Sequence, residues 1–167
     1  MKIPATVITG FLGAGKTTLY NIITGFSVPT EGTVRFCGNR INGLKPHIIA
    51  GKGIARTFQN VELFDNRTVI ENVMMGCHVR TEAGLFSGAF RLPAAQTEKR
   101  AVVEKSLELL DFVNLKERAH EDSAGLPFGL QRYLEIARAM ATEPKLLLLD
   151  EPASGLDTTE SQALTEL

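Results

Sequence analysis

The sequence predicts an α/β fold with a buried parallel sheet, and three segments carry that prediction. Residues 3–9 form a short apolar run that enters a glycine-rich turn, as a buried strand before a helix does. Apolar residues then recur at helical spacing over residues 19–26, until Gly25 and Pro29 end the helix. Near the other end, a helix with an apolar face leads into the bare aliphatic run 146–149. Such runs are typical of strands that are covered on both faces.

Two further β segments are predicted between the first helix and the middle of the chain. Residues 33–41 alternate around Gly38 and Asn39, a two-residue turn signal, and this pattern predicts a hairpin. Residues 54–58 predict another strand, which ends at Gln59.

The middle of the chain, over residues 68–118, has helical character. Val103, Leu107 and Leu110 form one apolar stripe, with Glu and Lys around it. Residues 81–95 show no clear period and predict a surface loop.

Composition bounds the class of protein. The 167 residues fit one domain with a sizeable core, and 18 basic against 19 acidic residues give a net charge of −1. That balance favours no nucleic-acid or membrane-binding surface. Cys37 and Cys77 form no disulfide framework, which suits a reducing cytoplasm, and Pro4 interrupts any signal-peptide core. The run 146–149 is far too short to span a membrane, so we expect any work at a membrane to go through partners.

Residues 10–17, Gly-Phe-Leu-Gly-Ala-Gly-Lys-Thr, match the phosphate-binding pattern G-x-x-x-x-G-K-[ST] between a strand and a helix. Its glycines let backbone N–H groups turn toward phosphate oxygens, and the helix start adds partial positive charge. Lys16 is predicted to reach the β- and γ-phosphates, and the Thr17 hydroxyl to hold Mg²⁺. The bland alternative is a glycine turn before a helix. The predicted nucleotide-binding residues are Gly10, Gly13, Ala14, Gly15, Lys16, Thr17 and Thr18.

Asp150 and Glu151 follow the run 146–149, where a buried strand would deliver two carboxylates to the nucleotide. One carboxylate can bind Mg²⁺, and its neighbour can orient or deprotonate the attacking water. Many strands end in solvated acids, and the phosphate-binding pattern elsewhere in the chain favours the functional interpretation.

With these two motifs the chain from about Leu19 onward resembles the ATPases of ABC transporters, and most of all the ATP-binding subunits of branched-chain amino-acid importers. The segments that carry the resemblance are 21–26, 53–60, 126–129, 134–139 and 146–157. It implies a P-loop NTPase fold with a RecA-like parallel-sheet core and a helical subdomain. We expect one domain, incomplete at both ends, with its core in 1–63 and 143–167 and its helical subdomain in 64–142.

The resemblance implies roles for three single residues. Gln59 is similar to the Q-loop glutamine, which contacts Mg²⁺ or the water and faces the membrane subunit; alternatively it is an ordinary polar residue at a strand end. Glu151 is similar to the catalytic base. Asp157 is similar to the D-loop aspartate, which crosses a dimer interface.

The signature position of this family is occupied by residues 126–130, Leu-Pro-Phe-Gly-Leu. Pro127 supplies neither a hydroxyl nor an N–H, but it suits the start of a helix. The N–H groups of Phe128 and Gly129 are then predicted to meet the phosphate of a partner subunit, with weaker γ-phosphate contact than usual. The alternative is a helix start without a ligand.

The resemblance also implies a cofactor, partners and a place of work. It implies hydrolysis of ATP with Mg²⁺ in a head-to-tail dimer that energises import through transmembrane permease subunits. A periplasmic solute-binding protein takes part indirectly, and no nucleic acid does. The subunit is expected in the cytoplasm, on the inner face of the membrane.

Phe11 and Leu12 depart from the family, and the first ~19 residues instead resemble the metallochaperone GTPases related to cobalamin-biosynthesis proteins. A GTPase of that kind is the alternative function, although its Asn-Lys-x-Asp and Cys-x-Cys-Cys strings do not occur. A non-catalytic fragment or fusion is the third.

Two expected family features have no counterpart in the sequence. No aromatic precedes Gly10 to stack on adenine, and all three histidines come before Asp150, so none can be the switch histidine. We therefore expect poor nucleotide binding and slow hydrolysis from these 167 residues.

Overall fold

The structure is a computed structural model. It describes residues 6–8, 15–58, 62–77, 93–156, 158 and 164; for 6–8, Lys16 and 93–95 it describes the backbone only. The chain forms two compact units. Unit 1 contains Met1–Gln59 and Pro144–Pro152, and unit 2 contains Asn60–Glu143 and Ala153–Leu167.

Unit 1 carries the strands. Its elements in chain order are β1 (Thr6–Ile8), α1 (Gly15–Ile23), β2 (Arg35–Phe36), β3 (Asn39–Arg40), α2 (Pro46–Gly51), β4 (Ile54–Arg56) and β5 (Leu146–Leu148). The main sheet has the order β1-β5-β4, and both pairings are parallel. Because β5 is the central strand, Leu147 and Leu148 are buried, which explains the bare aliphatic run. The predicted parallel sheet is confirmed.

The core of unit 1 contains a tyrosine that the apolar pattern does not reveal. Tyr20 packs with Ile41, Ile49, Ile54 and Leu148, and each of them is less than 5% exposed. Tyr20 can occupy this position because its hydroxyl donates to the backbone oxygen of Leu149 at 3.4 Å.

Two apolar residues in and just after α1 are exposed, contrary to the expectation. Leu19 and Phe26, two residues of the predicted apolar pattern, are 53% and 58% exposed. The buried face of α1 therefore includes Tyr20 in place of Leu19.

The hairpin is confirmed, but its turn lies one residue earlier than predicted. Phe36 pairs with Asn39, so the two turn residues are Cys37 and Gly38. Both have positive φ, 48° and 79°, as a twisted two-residue hairpin turn requires. Glycine at the second turn position adopts positive φ without a steric cost. Asn39 lies outside the turn and donates its side-chain amide to the Cys37 carbonyl at 3.1 Å.

Unit 2 is helical in the residues described. Its helices are α3 (Val69–Cys77), α4 (Pro93–Phe112) and α5 (Phe128–Ala141), with short 3-10 turns at Lys116–Arg118 and Ser123–Gly125. α3 lies very close to α5: a Cβ placed on Gly76 would be 2.3 Å from the Arg138 backbone oxygen. Among the described helices of the chain, none is both long and apolar enough to cross a membrane.

The start of α4 and its buried face both differ from the predictions made from the sequence. The predicted loop extends to residue 95, whereas α4 begins at Pro93, because proline suits the first helical position. The rest of that loop lies outside the described residues. Leu110 is fully buried as predicted, but Val103 and Leu107 are only half-buried and line an open groove.

The buried face of α4 includes a serine instead. Ser106 is fully buried with Leu109 and Leu110, and its hydroxyl donates to the Val102 carbonyl at 2.8 Å. This bond lets a polar residue take a core position, and it hides the buried face from an apolar pattern.

Candidate functional site

The first part of the candidate site is the start of α1, which follows β1 in unit 1. α1 begins at Gly15, and Gly15, Thr17 and Thr18 are exposed. A Cβ placed on Gly15 would meet no described heavy atom within 4 Å. The first turn of a helix presents N–H groups without an intrahelical acceptor, together with partial positive charge. Among the described residues the space beside this turn is open, which suits a phosphate group.

Several predicted phosphate-binding residues are outside the described part of the chain. They are Gly10, Gly13, Ala14 and the side chain of Lys16. Their roles stay predictions.

The second part of the site is the carboxyl end of β5. Asp150 is 5% exposed and follows three buried leucines, whereas Glu151 is exposed. Because β1 and β5 are parallel, the chain leaves both strands at the same edge of the sheet. This edge is where open α/β sheets bind ligands.

Glu151 has φ of 49°, in the left-handed region. Such a conformation costs a non-glycine residue about 1–2 kcal/mol, and backbone strain of this kind concentrates at functional sites. The turn separates the exposed carboxylate of Glu151 from the buried carboxylate of Asp150, so the two acids have different surroundings.

Asp150 is held by two consecutive residues at the end of β4. Its Oδ2 accepts a hydrogen bond from Nη2 of Arg56 at 2.8 Å, and its backbone N–H donates to Thr57 Oγ1 at 3.3 Å. Arg56 also donates to Asn21 Oδ1 at 2.7 Å. The sequence assigned no role to Arg56, although a charged residue in a strand of a buried sheet is the signal that could have identified it.

The charge of Asp150 also affects Tyr20. Burial, and secondarily the Asp150 carboxylate, raises the pKa of the Tyr20 phenol, while Arg56 acts in the opposite direction. The hydroxyl therefore stays protonated at neutral pH and remains a donor to Leu149.

The predicted signature residues lie in unit 2, at the start of α5. The helix begins at Phe128, directly after Pro127, as expected. The Phe128 ring is 47% exposed, and a Cβ on Gly155 would be 2.8 Å from it. Gly129 is buried. The signature aromatic therefore packs against the segment just before Asp157, but Asp157 and Gln59 lie outside the described residues.

The residues fit a Mg²⁺ ion by their donor chemistry. Thr17 offers a hydroxyl and Asp150 a carboxylate, and Mg²⁺ prefers oxygen ligands. Mg²⁺ is commonly bound through one or two carboxylates together with waters and substrate phosphates. A few protein oxygens, such as those of Thr17 and Asp150, are therefore enough to hold it.

Comparison with known proteins decides the family. The family model described as ABC transporter matches residues 3–154. The chain belongs to this family. The match includes the glycine-rich segment, the signature position and both acids.

Curated members of the ABC transporter family resemble the chain over most of its length. It is 45% identical over 155 residues to the high-affinity branched-chain amino acid transport ATP-binding protein BraF of Pseudomonas aeruginosa. It is 43% identical over 155 residues to the corresponding LivG of Escherichia coli K12. Each alignment covers 93% of this chain, but the chain spans only 61% of the length of these relatives.

Solved ABC cassettes confirm the fold class. The ATP-binding cassette MJ1267 of an ABC transporter superposes with a TM-score of 0.76 at 32% identity, covering 97% of this chain and 63% of that one. The dimeric bacterial ABC transporter cassette MJ0796 gives 0.75 at 26% identity, covering 99% and 68%. The P-loop NTPase fold predicted from the sequence is therefore confirmed, whereas the roles of single residues stay predictions.

Proposed function

We propose that this chain is the ATP-binding and ATP-hydrolysing part of an ABC transporter that energises branched-chain amino-acid import. The observation that carries the proposal is the parallel pairing of β1 with β5, since the phosphate-binding pattern follows β1 in the sequence and Asp150 follows β5. The likeness to BraF and LivG, both named as branched-chain amino acid transport proteins, supports the choice of solute.

Phosphate binding depends on the start of α1. The N–H groups of its first turn, with the glycines before it, donate to the phosphate oxygens of ATP. Lys16 adds a positive charge at the β- and γ-phosphates, and Thr17 and Thr18 complete the polar lining. Every one of these contacts favours a triphosphate over a nucleoside.

Hydrolysis depends on the acids after β5. When bound, Mg²⁺ neutralises phosphate charge, and Thr17, Asp150 and Gln59 are the residues that would hold it. Glu151 accepts the proton of the attacking water, and Gln59 orients that water. The two acids suit these different tasks, because Asp150 is buried and ion-paired while Glu151 is exposed.

The partners follow from the family architecture. A second ATP-binding subunit packs head to tail, so that the start of α5, at Phe128 and Gly129, meets the partner's nucleotide, and Asp157 lies at the interface. Two copies related in this way form a closed, symmetric interface. Permease subunits transmit the closing and opening, and a periplasmic solute-binding protein supplies the solute. The subunit works in the cytoplasm at the inner face of the membrane.

The test compares hydrolysis and binding in one chain. Purified protein is assayed with Mg·ATP and Mg·GTP, beside Glu151→Gln. We expect the turnover of ATP to be slow in the wild type and to fall by about a further 10²- to 10⁴-fold in the variant, the usual contribution of a general base, while its ATP affinity stays unchanged. Unchanged turnover in the variant, or a clear preference for GTP in the wild type, would contradict the proposal.

A further inference from the structure

We propose that Arg56 is a positioning residue for the reaction, one that holds the Asp150 carboxylate at a fixed place beside α1. The inference rests on the proposed function, because it concerns the carboxylate expected to face Mg²⁺. It adds to that function a residue that acts through Asp150.

The guanidinium of Arg56 bridges two elements. Nη2 donates to Asp150 Oδ2 at 2.8 Å, after β5, and Nη1 donates to Asn21 Oδ1 at 2.7 Å, on α1. Because the guanidinium is planar and rigid, its two bonds fix the carboxylate relative to Asn21. A lysine in this position would offer a point charge without that fork.

Asn21 shares one face of α1 with Thr17, because the two residues are four apart in a helix. The bridge therefore ties Asp150 to the face of α1 that carries Thr17, another predicted Mg²⁺ ligand. The backbone of Asp150 is fixed as well, by the bond from its N–H to Thr57 Oγ1 at 3.3 Å. Both the main chain and the side chain of Asp150 are thus hydrogen-bonded to residues at the end of β4.

The Arg56–Asp150 ion pair is buried, and removing two charges from water costs free energy. Both side chains are 7% exposed, and the Arg56 guanidinium lies 5.4 Å from the Tyr20 ring centre and 5.3 Å from that of Phe58. Its Nε finds no hydrogen-bond partner in the part of the chain described. Well-packed apolar residues are often as stable as a buried ion pair, or more so. Stability alone therefore does not account for a buried ion pair at this place. The orientation of a carboxylate that faces a metal does account for it.

The same contact could act in the opposite sense. If Arg56 competed with Mg²⁺ for the carboxylate, its removal would strengthen the effect of Mg²⁺ on nucleotide binding. Positioning predicts the reverse, and the direction of the change separates the two roles.

The experiment measures ATP affinity by titration in Mg²⁺ and in EDTA, for wild type, Arg56→Lys, Arg56→Met and Asn21→Ala. The ratio of the two affinities reports the contribution of the metal. We expect Arg56→Met to reduce this ratio by about 10- to 100-fold, the usual effect of losing a residue that orients a metal ligand. Affinity in EDTA should stay unchanged. Arg56→Lys and Asn21→Ala should give intermediate ratios, and the exposed Arg35→Met should match the wild type.

Each outcome has one meaning. A wild type whose ATP affinity is insensitive to Mg²⁺ contradicts the proposed function, and this inference with it. A wild type with Mg²⁺ dependence that Arg56→Met preserves or increases overturns the inference alone. If Arg56→Met does not fold, Asn21→Ala decides, because it keeps the ion pair and removes only the anchor on α1; a wild-type ratio there overturns the inference.

Discussion

Ile8 and Leu148 are register partners in neighbouring parallel strands of unit 1. Two residues beyond each lie Gly10, the first residue of the glycine-rich motif, and Asp150. The strands that precede these two motifs, which most of the sequence separates, therefore end at the same level of the sheet. This register gives the site its geometry, and it requires only that two short strands pair in parallel.

Gly15→Ala separates stability from ligand binding at the start of α1. A Cβ there meets no described atom within 4 Å, so we expect the free energy of unfolding to stay the same or rise by about 0.4–1 kcal/mol. ATP affinity should fall, because the methyl group would enter the space proposed for the phosphate. Urea unfolding and ATP titration of the same sample check both statements; a variant with intact affinity would contradict this placement of the phosphate.

Asp150→Asn and Glu151→Gln make the same chemical change at adjacent residues, with different consequences for stability. Asp150→Asn leaves the buried Arg56 without its counter-charge, and breaking such a pair costs about 3–5 kcal/mol. Glu151 is exposed, so its change should stay within about 0.5 kcal/mol. Denaturant unfolding without nucleotide measures both, and equal effects would show that the ion pair is absent in solution.

Gly76→Ala tests the close approach of α3 and α5. Its Cβ would be 2.3 Å from the Arg138 carbonyl oxygen, a backbone atom that cannot swing away. We expect the free energy of unfolding to fall by about 1–3 kcal/mol, the usual effect of overpacking. Gly51→Ala, at the end of α2 with no described atom within 4 Å of the added methyl group, is the matched control and should not lower stability. Comparable thermal midpoints for the two variants would refute the helix contact.

The two cysteines should differ in alkylation rate. Cys37 is exposed in the hairpin turn, whereas Cys77 is buried in α3 with its Sγ 3.9 Å from Ser106 Oγ. Burial raises the pKa of the Cys77 thiol, and the Ser106 contact offsets part of that effect. Because the thiolate is the nucleophile, iodoacetamide should modify Cys37 first and Cys77 only on unfolding. Mass spectrometry of Cys37→Ser supplies the control: rapid labelling of that variant would contradict the burial of Cys77.

The elements that the sequence predicted well are those whose local pattern matches their burial. The aliphatic run before Asp150 could be recognised as a buried strand because both of its faces are covered. The hairpin was recognisable from Gly38, but its turn shifted by one residue, because the strand alternation does not show that Cys37 adopts positive φ.

The residues that the sequence did not reveal are polar ones whose partners are distant in the chain. Tyr20 and Ser106 are buried because each finds a backbone oxygen, and an apolar pattern cannot show such bonds. Arg56 and Asp150 are 94 residues apart in the sequence, and they meet only when β4 pairs with β5. Long-range pairings of this kind require the fold before the chemistry can be recognised.

The most direct test of the account is the affinity for Mg·ATP of wild type, Lys16→Ala and the exposed control Lys52→Ala, measured by titration. Hydrogen bonds to charged groups contribute about 1.5–3 kcal/mol, so the account predicts a loss on the order of 10- to 100-fold in Lys16→Ala. Lys52→Ala should bind as the wild type does. Equal affinities in all three proteins would contradict the phosphate site at the start of α1, and with it the proposed ATPase.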